Sequence, residues 1–408
     1  MIPLPKYYLA AGLVMAALAI VWGGFVMAQP IYDIGAKSTP LVRDQQETIS
    51  VYFNRAEFIP RHEFPYSHVL EEYPVLGVLY ISLPRLFTQD PGGSMQIFSF
   101  MSLLVLCALV AVTSALLRFF KRSPWYLTLF LLPATLYFAF NRFDILIALI
   151  VQISLYMLVR RRYAWAIFLL AISFFVKWYG ILFVPVYLVY MKNTVAPEVW
   201  RKSFRRMLRI IGITLVVPTV VLFIFAGVNS ILPYAFHASR GIEYGNVLVP
   251  FLERMYRVLP PSLVRFLMKA IPQLLFAGQI ILPLVMALNP SGFIQRIKSH
   301  RDVVRWMVII VLLFLLFGKF YSPQFILWLL PLLILLVRRF SDILLFITLD
   351  LIHYLSFPLI YIQSGYNSDA YALMAFIRTL VYCIVLFKAL PATRAWFPAT
   401  SFVDTQEG

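Results

Sequence analysis

The chain has 408 residues, of which 62% are hydrophobic and only 13% are charged. This composition excludes a water-soluble fold, because a soluble domain needs far more polar surface. The formal net charge of +17 then indicates membrane topology, since Lys and Arg collect in cytoplasmic loops. No basic stripe is combined with soluble structure, so we predict that nucleic acid is not a partner.

Successive apolar runs of about 17–25 residues, bounded by charges, match the length that a helix needs to cross a bilayer. Backbone groups cannot stay unpaired in lipid, so these runs predict an all-α, polytopic transmembrane helical bundle. We expect a single integral membrane domain over residues 1–408, with about 12 spans surrounded by membrane lipids. They lie near residues 8–28, 96–119, 124–140, 143–159, 163–178, 179–191, 209–229, 264–287, 303–318, 321–337, 341–361 and 370–390.

Three apolar stretches need separate interpretation. The first run exceeds the apolar region of a signal peptide, which favours an uncleaved anchor, although Val-Met-Ala at 26–28 is compatible with cleavage. The run at 163–191 fits either two short helices broken near Gly180 or one bent hairpin. The stretch 75–87 is too short to span and contains Pro84 and Arg85, so we predict an interfacial helix on the outer surface.

The turns between the spans are of two chemical kinds. One kind is rich in Lys and Arg, and the positive-inside tendency places it in the cytoplasm. It contains residues 118–122, 160–162, 192–209, 296–301 and 338–339. With 12 spans, both termini of this multi-pass protein of the cell membrane are then cytoplasmic. The other kind contains the long first outer loop, 29–95, and the turns at 141–144, 177, 230–263, 319 and 362–369.

Acidic residues are concentrated in the outer turns. Twelve of the 18 Asp and Glu residues lie there, five are cytoplasmic, and Asp350 is inside a span. Acids have little influence on helix insertion, so topology does not require this bias. The greater length of the outer loops is one explanation, and a functional site on the non-cytoplasmic face is the other.

The first outer loop carries carboxylates that could act as a general base. Asp44, Glu47, Glu71 and Glu72 lie in it. Partial desolvation at a membrane surface raises the pKa of a carboxyl group toward working pH, which suits proton abstraction. The alternative is that these acids are solvated loop charges or helix caps.

Cations occur at the other outer turns, as Arg142, Lys177, Arg240 and Lys319. As a group they could hold a phosphate, whereas singly each would only reach the lipid headgroups. We expect Asp144 to orient Arg142 or to cap the following helix. The five His residues lack metal-ligand spacing and no nucleotide-binding motif is present, so we predict neither a metal nor a cofactor.

Two charged residues lie near the middle of adjacent, antiparallel spans. These are Asp350 and Arg378, and a charge at that depth costs about 2.5–3.5 kcal/mol on insertion scales. We predict that they form a buried ion pair that locks the last two helices together. A proton relay in a transporter is the functional alternative.

Six segments stand in an order and spacing that resemble a known family. They are Asp44 with VYFNRA, PYSHVLEEYPV, NRFDILIAL, FFVKWYGILFVPV, FHASRGIEYGN and KFYSPQFILWLLPLL, spread over residues 44–332. The family is the GT-C glycosyltransferases, in particular family 87, the polyprenyl-phosphate-mannose-dependent mannosyltransferases. Val75 stands where the family's EYPP pattern has its second proline.

The resemblance implies a GT-C-like fold and transfer of a sugar, mannose in the first place, from a polyprenyl-phosphate donor. The acceptor would be a glycolipid or a glycan at the outer membrane face, and the reaction would invert the anomeric centre. The resemblance also implies that Asp44 is the general base, with Glu47 as its rival, and that Glu72 with Tyr73 contacts substrate. We expect Arg142 and Asp144 in the same site, where Arg240 and Lys319, joined by Lys177, would hold the phosphate.

Two other functions remain open. A lipid-linked saccharide flippase or secondary transporter would favour polar residues at the bilayer midplane and paired half-repeats with broken helices. The sequence shows only Asp350 and Arg378 there and no evident halves. A non-catalytic scaffold of an envelope-polymer complex would tolerate the loss of Asp44 and of the outer cations alike.

Overall fold

The computed structural model describes residues 5–27, 48, 51–66, 72–243, 245–256, 258–288, 297–365 and 368–390. Within these ranges the chain forms helices and turns, with no strand. The two candidate bases, Asp44 and Glu47, lie outside the described residues, as does Glu71. The other nine candidate site residues lie within the described ranges.

The α-helices follow one another with short connections. They are α1 (Pro5–Met27), α2 (Val75–Ser82), α3 (Pro91–Phe119), α4 (Pro133–Asn141), α5 (Asp144–Val159), α6 (Tyr163–Ser173), α7 (Val184–Thr194), α8 (Pro197–Ala226), α9 (Leu232–Ser239), α10 (Leu248–Tyr256), α11 (Pro261–Leu288), α12 (His300–Leu316), α13 (Ile326–Leu336), α14 (Phe340–Tyr354), α15 (Tyr361–Ser364) and α16 (Asp369–Ala389). Short 3₁₀ segments join several of them, at Leu83–Leu86, Pro124–Leu131, Trp178–Phe183, Gly227–Ile231 and Pro323–Phe325.

Six helical segments of the described ranges are long and apolar enough to cross a membrane. They are Pro5–Val26, Pro91–Phe119, Pro197–Ser239, Pro261–Val285, Phe340–Ile360 and Asp369–Ala389. Helices α4 and α5 would form a seventh if they are one span with a bend of 105°. These helices confirm a membrane-embedded, all-α protein with several transmembrane helices, but they do not confirm a count of 12 spans.

Proline explains why several predicted spans are broken. Pro124, Pro133, Pro185 and Pro323 each stand at the first or second position of a helix. A proline lacks the amide hydrogen and clashes with the preceding turn, so a helix begins at it more easily than it continues through it. The run at 163–191 accordingly becomes α6, a 3₁₀ segment and α7, which is the broken form of the two alternatives.

The helices differ in how much of their apolar surface the protein covers. All residues of α13 from Ile326 to Leu335 are buried, whereas α8 and α11 expose large side chains such as Ile224 and Leu274. A helix that is apolar all round is buried in the protein or faces lipid. Helix α13 therefore forms the centre of the bundle, and α8 and α11 present apolar faces suited to lipid.

The two chemical kinds of turn lie at opposite ends of the bundle. Helix α3, with its 29 residues, is about 44 Å long and separates these ends. Near its last residues, the hydroxyl of Tyr7 donates to the carbonyl of Arg122 at 2.7 Å. Near its first residues, Trp22 donates to the hydroxyl of Ser99 at 3.1 Å. Helix α1 thus runs antiparallel to α3 along its length.

Other contacts assign the remaining turns to these two ends. The rings of Phe119 and His300 lie 5.1 Å apart, which brings the start of α12 to the basic end. Arg142 donates to the hydroxyl of Thr48, which brings the first outer loop to the turn before α5. The basic turns and the acid-bearing turns therefore form two separate surfaces. Which surface faces the cytoplasm stays a prediction.

The predicted ion pair between Asp350 and Arg378 is wrong, although both side chains are buried. The carboxylate of Asp350 accepts hydrogen bonds from the backbone nitrogens of Ala134 and Thr135, at 2.8 and 2.9 Å, and from the Thr135 hydroxyl at 2.6 Å. Arg378 instead donates to the carbonyl of Gly245 at 2.5 Å. Counting positions along a helix gives the depth of a side chain but not the direction in which it leaves the helix.

Asp350 accepts hydrogen bonds from the backbone amides at the start of α4, which lies inside the bundle. The first backbone amides of any helix lack acceptors within that helix, and in a buried position water cannot replace them. A carboxylate that accepts from the second and third residues of α4 removes this cost. The interaction is therefore a helix cap supplied by another helix, α14.

We predict that Asp350 and Arg378 stabilise the fold independently. Asp350→Ala leaves three buried donors without their acceptor, so the free energy of unfolding should fall by about 1–3 kcal/mol. Arg378→Ala removes the donor to Gly245 and should cost stability separately. In detergent micelles titrated with denaturant, the two losses should add within about 0.5 kcal/mol in the double variant.

The control is Asp369→Ala, which removes an exposed acid from the first turn of α16. It should change the free energy of unfolding by no more than about 0.5 kcal/mol. A coupling near 2 kcal/mol between the two buried residues would mean that they act as a pair, contrary to this geometry.

Candidate functional site

A cavity of about 380 Å³ lies at the acid-bearing end of the bundle. Its lining comes from segments that are far apart in the chain. They include residues 72–74, Arg142, residues 177–179, the stretch with His237, Arg240 and Glu243, and residues 320–325 with Trp328. Of the nine described candidates from the sequence, Glu72, Tyr73, Arg142, Lys177 and Arg240 line this cavity, whereas Asp144, Lys319, Asp350 and Arg378 do not.

The helix break after α6 brings the first outer loop to the cavity. The carbonyl of Phe175 accepts hydrogen bonds from the backbone nitrogens of Leu76 and Gly77, at 2.8 and 3.3 Å. A Cβ at Gly77 would lie 2.9 Å from the carbonyl oxygen of Val176, so the approach requires glycine. The start of α2 is therefore bound to the break, and Glu72 and Tyr73 lie beside Lys177.

Lys177 is held in place by a buried carboxylate behind it. Its Nζ donates to Oδ1 of Asp144 at 2.6 Å, and the same oxygen accepts from the indole nitrogen of Trp328 at 2.8 Å. The ammonium group also lies 4.7 Å from the ring centre of Phe143. Asp144 thus opens α5, where a negative charge is favourable, and orients Lys177, although the sequence had indicated Arg142 as its partner.

Arg142 connects the cavity to the first outer loop. Its guanidinium donates to the hydroxyl of Thr48 and, at 3.1 Å, to the carbonyl of Asn141. Thr48 is buried and follows Glu47 directly in the chain. The chain therefore reaches the wall of the cavity at the end of the segment that contains both candidate bases.

Glu72 is bound by cations. Arg55 donates to its carboxylate at 3.0 Å and lies over the ring of Tyr73, 4.5 Å from the ring centre. Burial acts to raise the pKa of Glu72, but Arg55, the Tyr73 hydroxyl, Arg240 and His237 together outweigh it and leave the pKa below its ordinary value. Glu72 is therefore ionised at neutral pH and is a poor proton acceptor, which suits binding better than general base catalysis.

Arg240 follows α9 and faces the cavity with its own counter-ion. Its guanidinium binds Glu243 through both nitrogens of one edge, with Nη2 2.7 Å from Oε2. The ring of Phe320 lies under the guanidinium, 4.4 Å from ring centre to Cζ. The Glu243 side chain is 41% exposed, so an incoming anion can replace it at Arg240 at modest cost.

Lys319 does not line the cavity, although the sequence predicted that it holds a phosphate. It is only 2% exposed, and its Nζ donates to the carbonyl of Ala238 at 2.9 Å. Its own carbonyl accepts from the backbone nitrogen of Glu243 at 3.0 Å. Burial, and secondarily Arg240, lower the pKa of Lys319. Lys319 therefore fixes the loop that carries Arg240 rather than contacting a ligand.

Aromatic side chains form a further part of the lining, the aromatic wall, which the sequence did not reveal; Nζ of Lys177 lies 5.4 Å from the ring centre of Trp328. Tyr179 and Trp328 stack with their ring centres 3.9 Å apart, and Phe325 lies 4.2 Å from Trp328. His237 also lines the cavity and donates from Nε2 to the carbonyl of Glu72 at 3.2 Å. Aromatic residues inside apolar runs look like core, and the local signals were the clusters WYG at 178–180 and FHASR at 236–240.

The described residues do not form a metal centre. Over the ranges that the structure covers, no group of three His, Cys, Asp or Glu side chains is arranged to hold a metal ion. Several charged side chains that line the cavity are held in ion pairs: Glu72 with Arg55, Lys177 with Asp144, and Arg240 with Glu243. Lys177 and Arg240 are thus positioned before any ligand binds, as preformed cations that can bind an anion.

Comparison of the chain with protein-family models and with curated protein sequences found no match. What the cavity binds must therefore be argued from its chemistry. It combines three Lys and Arg side chains, two carboxylates held by arginines, and an aromatic wall next to helices with lipid-facing surfaces.

Proposed function

We propose that the chain is a membrane glycosyltransferase that moves a sugar from a polyprenyl-phosphate donor to a glycolipid or glycan acceptor. Mannose is the proposed sugar, the non-cytoplasmic face is the proposed location, and the reaction inverts the anomeric centre. One observation carries the proposal. Five segments chosen for their resemblance to GT-C enzymes, spread from residue 72 to residue 328, contribute to one cavity.

The cations of the cavity suit a phosphate leaving group. Arg142, Lys177 and Arg240 come from three separate segments and line the same space. When the bond between the sugar and the phosphate breaks, negative charge grows on the phosphate oxygens, and preorganised cations stabilise that charge. Asp144 fixes Lys177 before any ligand arrives, so little reorganisation is needed during the reaction.

The aromatic wall suits the sugar, and the lipid-facing helices suit the prenyl chain. Ligand sites are typically apolar and aromatic with a few polar groups that set orientation. Here Tyr179 and Trp328 provide flat apolar surfaces, and Gln279 and Gln324 line the same cavity with amide groups. Gln279 belongs to α11, whose outer face is apolar and exposed, so a prenyl chain can lie in the bilayer beside the cavity.

The general base is proposed to be Asp44, with Glu47 as the rival. Glu72 and Glu243 are engaged in ion pairs with Arg55 and Arg240, and the pKa of Glu72 is below its ordinary value. In the proposed reaction the base takes the proton of the acceptor hydroxyl, and the acceptor oxygen attacks the anomeric carbon. The bond from that carbon to the phosphate oxygen breaks, and polyprenyl phosphate leaves with the electron pair.

We predict that Asp44→Asn lowers turnover by about 10²–10⁴-fold, the usual contribution of a general base. The assay is transfer of radiolabelled mannose from polyprenyl-phosphate-mannose to a host lipid extract by purified protein in liposomes. Glu47→Gln is measured beside it, because loss in that variant alone would make Glu47 the base. No transfer from mannose, glucose or arabinose donors, together with flipping of labelled lipid, would favour the flippase instead.

We predict that the cavity cations act on the phosphate, so Arg142→Gln and Lys177→Gln should each lower kcat/KM by about 10²-fold. The matched control is Lys202→Gln, which removes an exposed cation of α8 that does not line the cavity. It should keep wild-type kcat/KM. Equal losses in the control and in the cavity variants would show that the effect is a general loss of charge or stability.

A further inference from the structure

A second cavity, of about 420 Å³, lies at the basic end of the bundle between α12, α13, α14 and α16. It shares no lining residue with the cavity described above. Its charged lining consists of four cationic side chains and a single acidic one, namely Arg305, Arg338, Arg339, Lys388 and Asp342. The cavity is therefore strongly electropositive.

The one acidic side chain of the lining, Asp342, accepts hydrogen bonds from two helix ends. Oδ2 of Asp342 accepts from the backbone nitrogens of Arg338 and Arg339, at 2.9 and 3.0 Å. Oδ1 accepts from Nζ of Lys388 at 2.5 Å. Asp342 thus joins the start of α14 to the end of α16 and balances one cation of the lining. Among the residues that line the cavity, the cationic side chains still outnumber the acidic one by four to one.

A further cation lies close to two residues of the lining. Arg122, in the turn after α3, is half-buried near Arg338 and Asp342. Burial, and after it the charge of Arg338, lower the pKa of Arg122. Two guanidinium groups that oppose each other in this way gain stability when an anion binds between or beside them.

The lining changes from charged to apolar one helical turn deeper in the bundle. On α12, Val308 follows Arg305 by three residues, and on α16, Val385 precedes Lys388 by three. The same step occurs on α14, where Leu345 follows Asp342. Three residues correspond to about 4.5 Å along a helix, so the charged rim and the apolar wall form two successive layers.

This gradient matches one class of ligand. A free inorganic anion would need only the charged layer, and a hydrocarbon would need only the apolar one. An amphiphile with a phosphate head uses both, and basic pockets between transmembrane helices are suited to such headgroups. A cavity of this volume holds a headgroup and the first methylenes, and the chains can remain in the bilayer.

We propose that this cavity binds one anionic phospholipid of the surrounding bilayer. The phosphate lies at the rim with Arg338 and Arg339, and the glycerol and upper chain lie against Val308, Leu333 and Leu345. The lipid stabilises the junction of four helix ends by adding negative charge to a predominantly cationic lining. This site does not rest on the proposed glycosyl transfer, and its test needs no enzyme assay.

The test is binding of phosphatidylglycerol to the purified full-length protein in detergent, followed by native mass spectrometry. The wild type should bind one phosphatidylglycerol with saturation and should prefer it to phosphatidylcholine. The double variant Arg338→Gln/Arg339→Gln should raise the dissociation constant roughly tenfold, since each surface cation contributes modestly to anionic lipid binding.

The matched control is Arg201→Gln/Lys202→Gln, which removes two exposed cations of α8 that do not line the cavity. It lowers the net charge equally and should leave the dissociation constant unchanged. A third variant, Ser341→Trp, keeps every charge but fills the exposed rim, and it should also weaken binding. Weaker lipid binding by this variant would show that the shape of the cavity contributes to binding, and not diffuse electrostatic attraction alone.

Several results would overturn the proposal. Equal weakening in the cavity variant and in the α8 control would mean that the lipid binds the basic surface as a whole. Inorganic phosphate that competes at the same concentration as phosphatidylglycerol would make a free anion the ligand, because the apolar layer would then contribute nothing. Equal affinity for phosphatidylcholine, whose headgroup has no net charge, would mean that the arginines do not select an anionic headgroup.

Discussion

The structure depends on one constraint: a helix that breaks inside a membrane protein must find hydrogen-bond partners for its free backbone groups within the protein. In this chain the breaks find two kinds of partner. The amides that begin α4 are capped by Asp350, and the carbonyls that end broken helices accept from outer loops. Phe175 accepts from the start of α2, and Gly318 accepts from Asn246 at 2.7 Å. The same bonds that satisfy the breaks therefore bring the outer loops to the cavity.

This arrangement explains why the cavity can carry so many charges. An unpaired buried charge is expensive, and a buried ion pair is weak evidence for stability because desolvation offsets much of the attraction. The three ion pairs of the cavity differ in that respect. Asp144 is fully buried and accepts from two donors, whereas Glu243 is well exposed and bound only locally to Arg240. The buried pair fixes the position of Lys177. The exposed pair leaves Arg240 able to bind a ligand in place of Glu243.

The sequence was sufficient for the class of protein, for the separation of basic and acid-bearing turns, and for five residues of the cavity. These depend on composition and on segment order, which are properties of the chain. It was insufficient for the partners of Asp350, Lys319 and Asp144, because a partner depends on the face that a side chain occupies and on breaks elsewhere. Asp350 meets α4 only since Pro133 starts a helix inside the bundle, and no local pattern around position 350 indicates this. The aromatic wall could not be predicted for a related reason. In the sequence, Trp328 resembles any other residue of a buried helix, and only the fold brings Tyr179 into stacking contact with it.

The cations and the aromatic side chains of the cavity are positioned by different means, and on the proposed function this divides the chemistry between them. The cations are carried by segments at helix breaks, where backbone bonds and buried counter-ions determine their positions. The aromatic wall is carried by α12, by α13 and by the 3₁₀ segment before α7, as Phe314, Trp328 and Tyr179. Every donor of this class has a phosphate, but donors differ in the sugar. Changes in aromatic side chains other than Trp328, whose indole nitrogen donates to Asp144, can therefore alter which sugar fits while the cations continue to stabilise the leaving phosphate. The identity of the sugar then depends on residues that the cation pattern does not reveal.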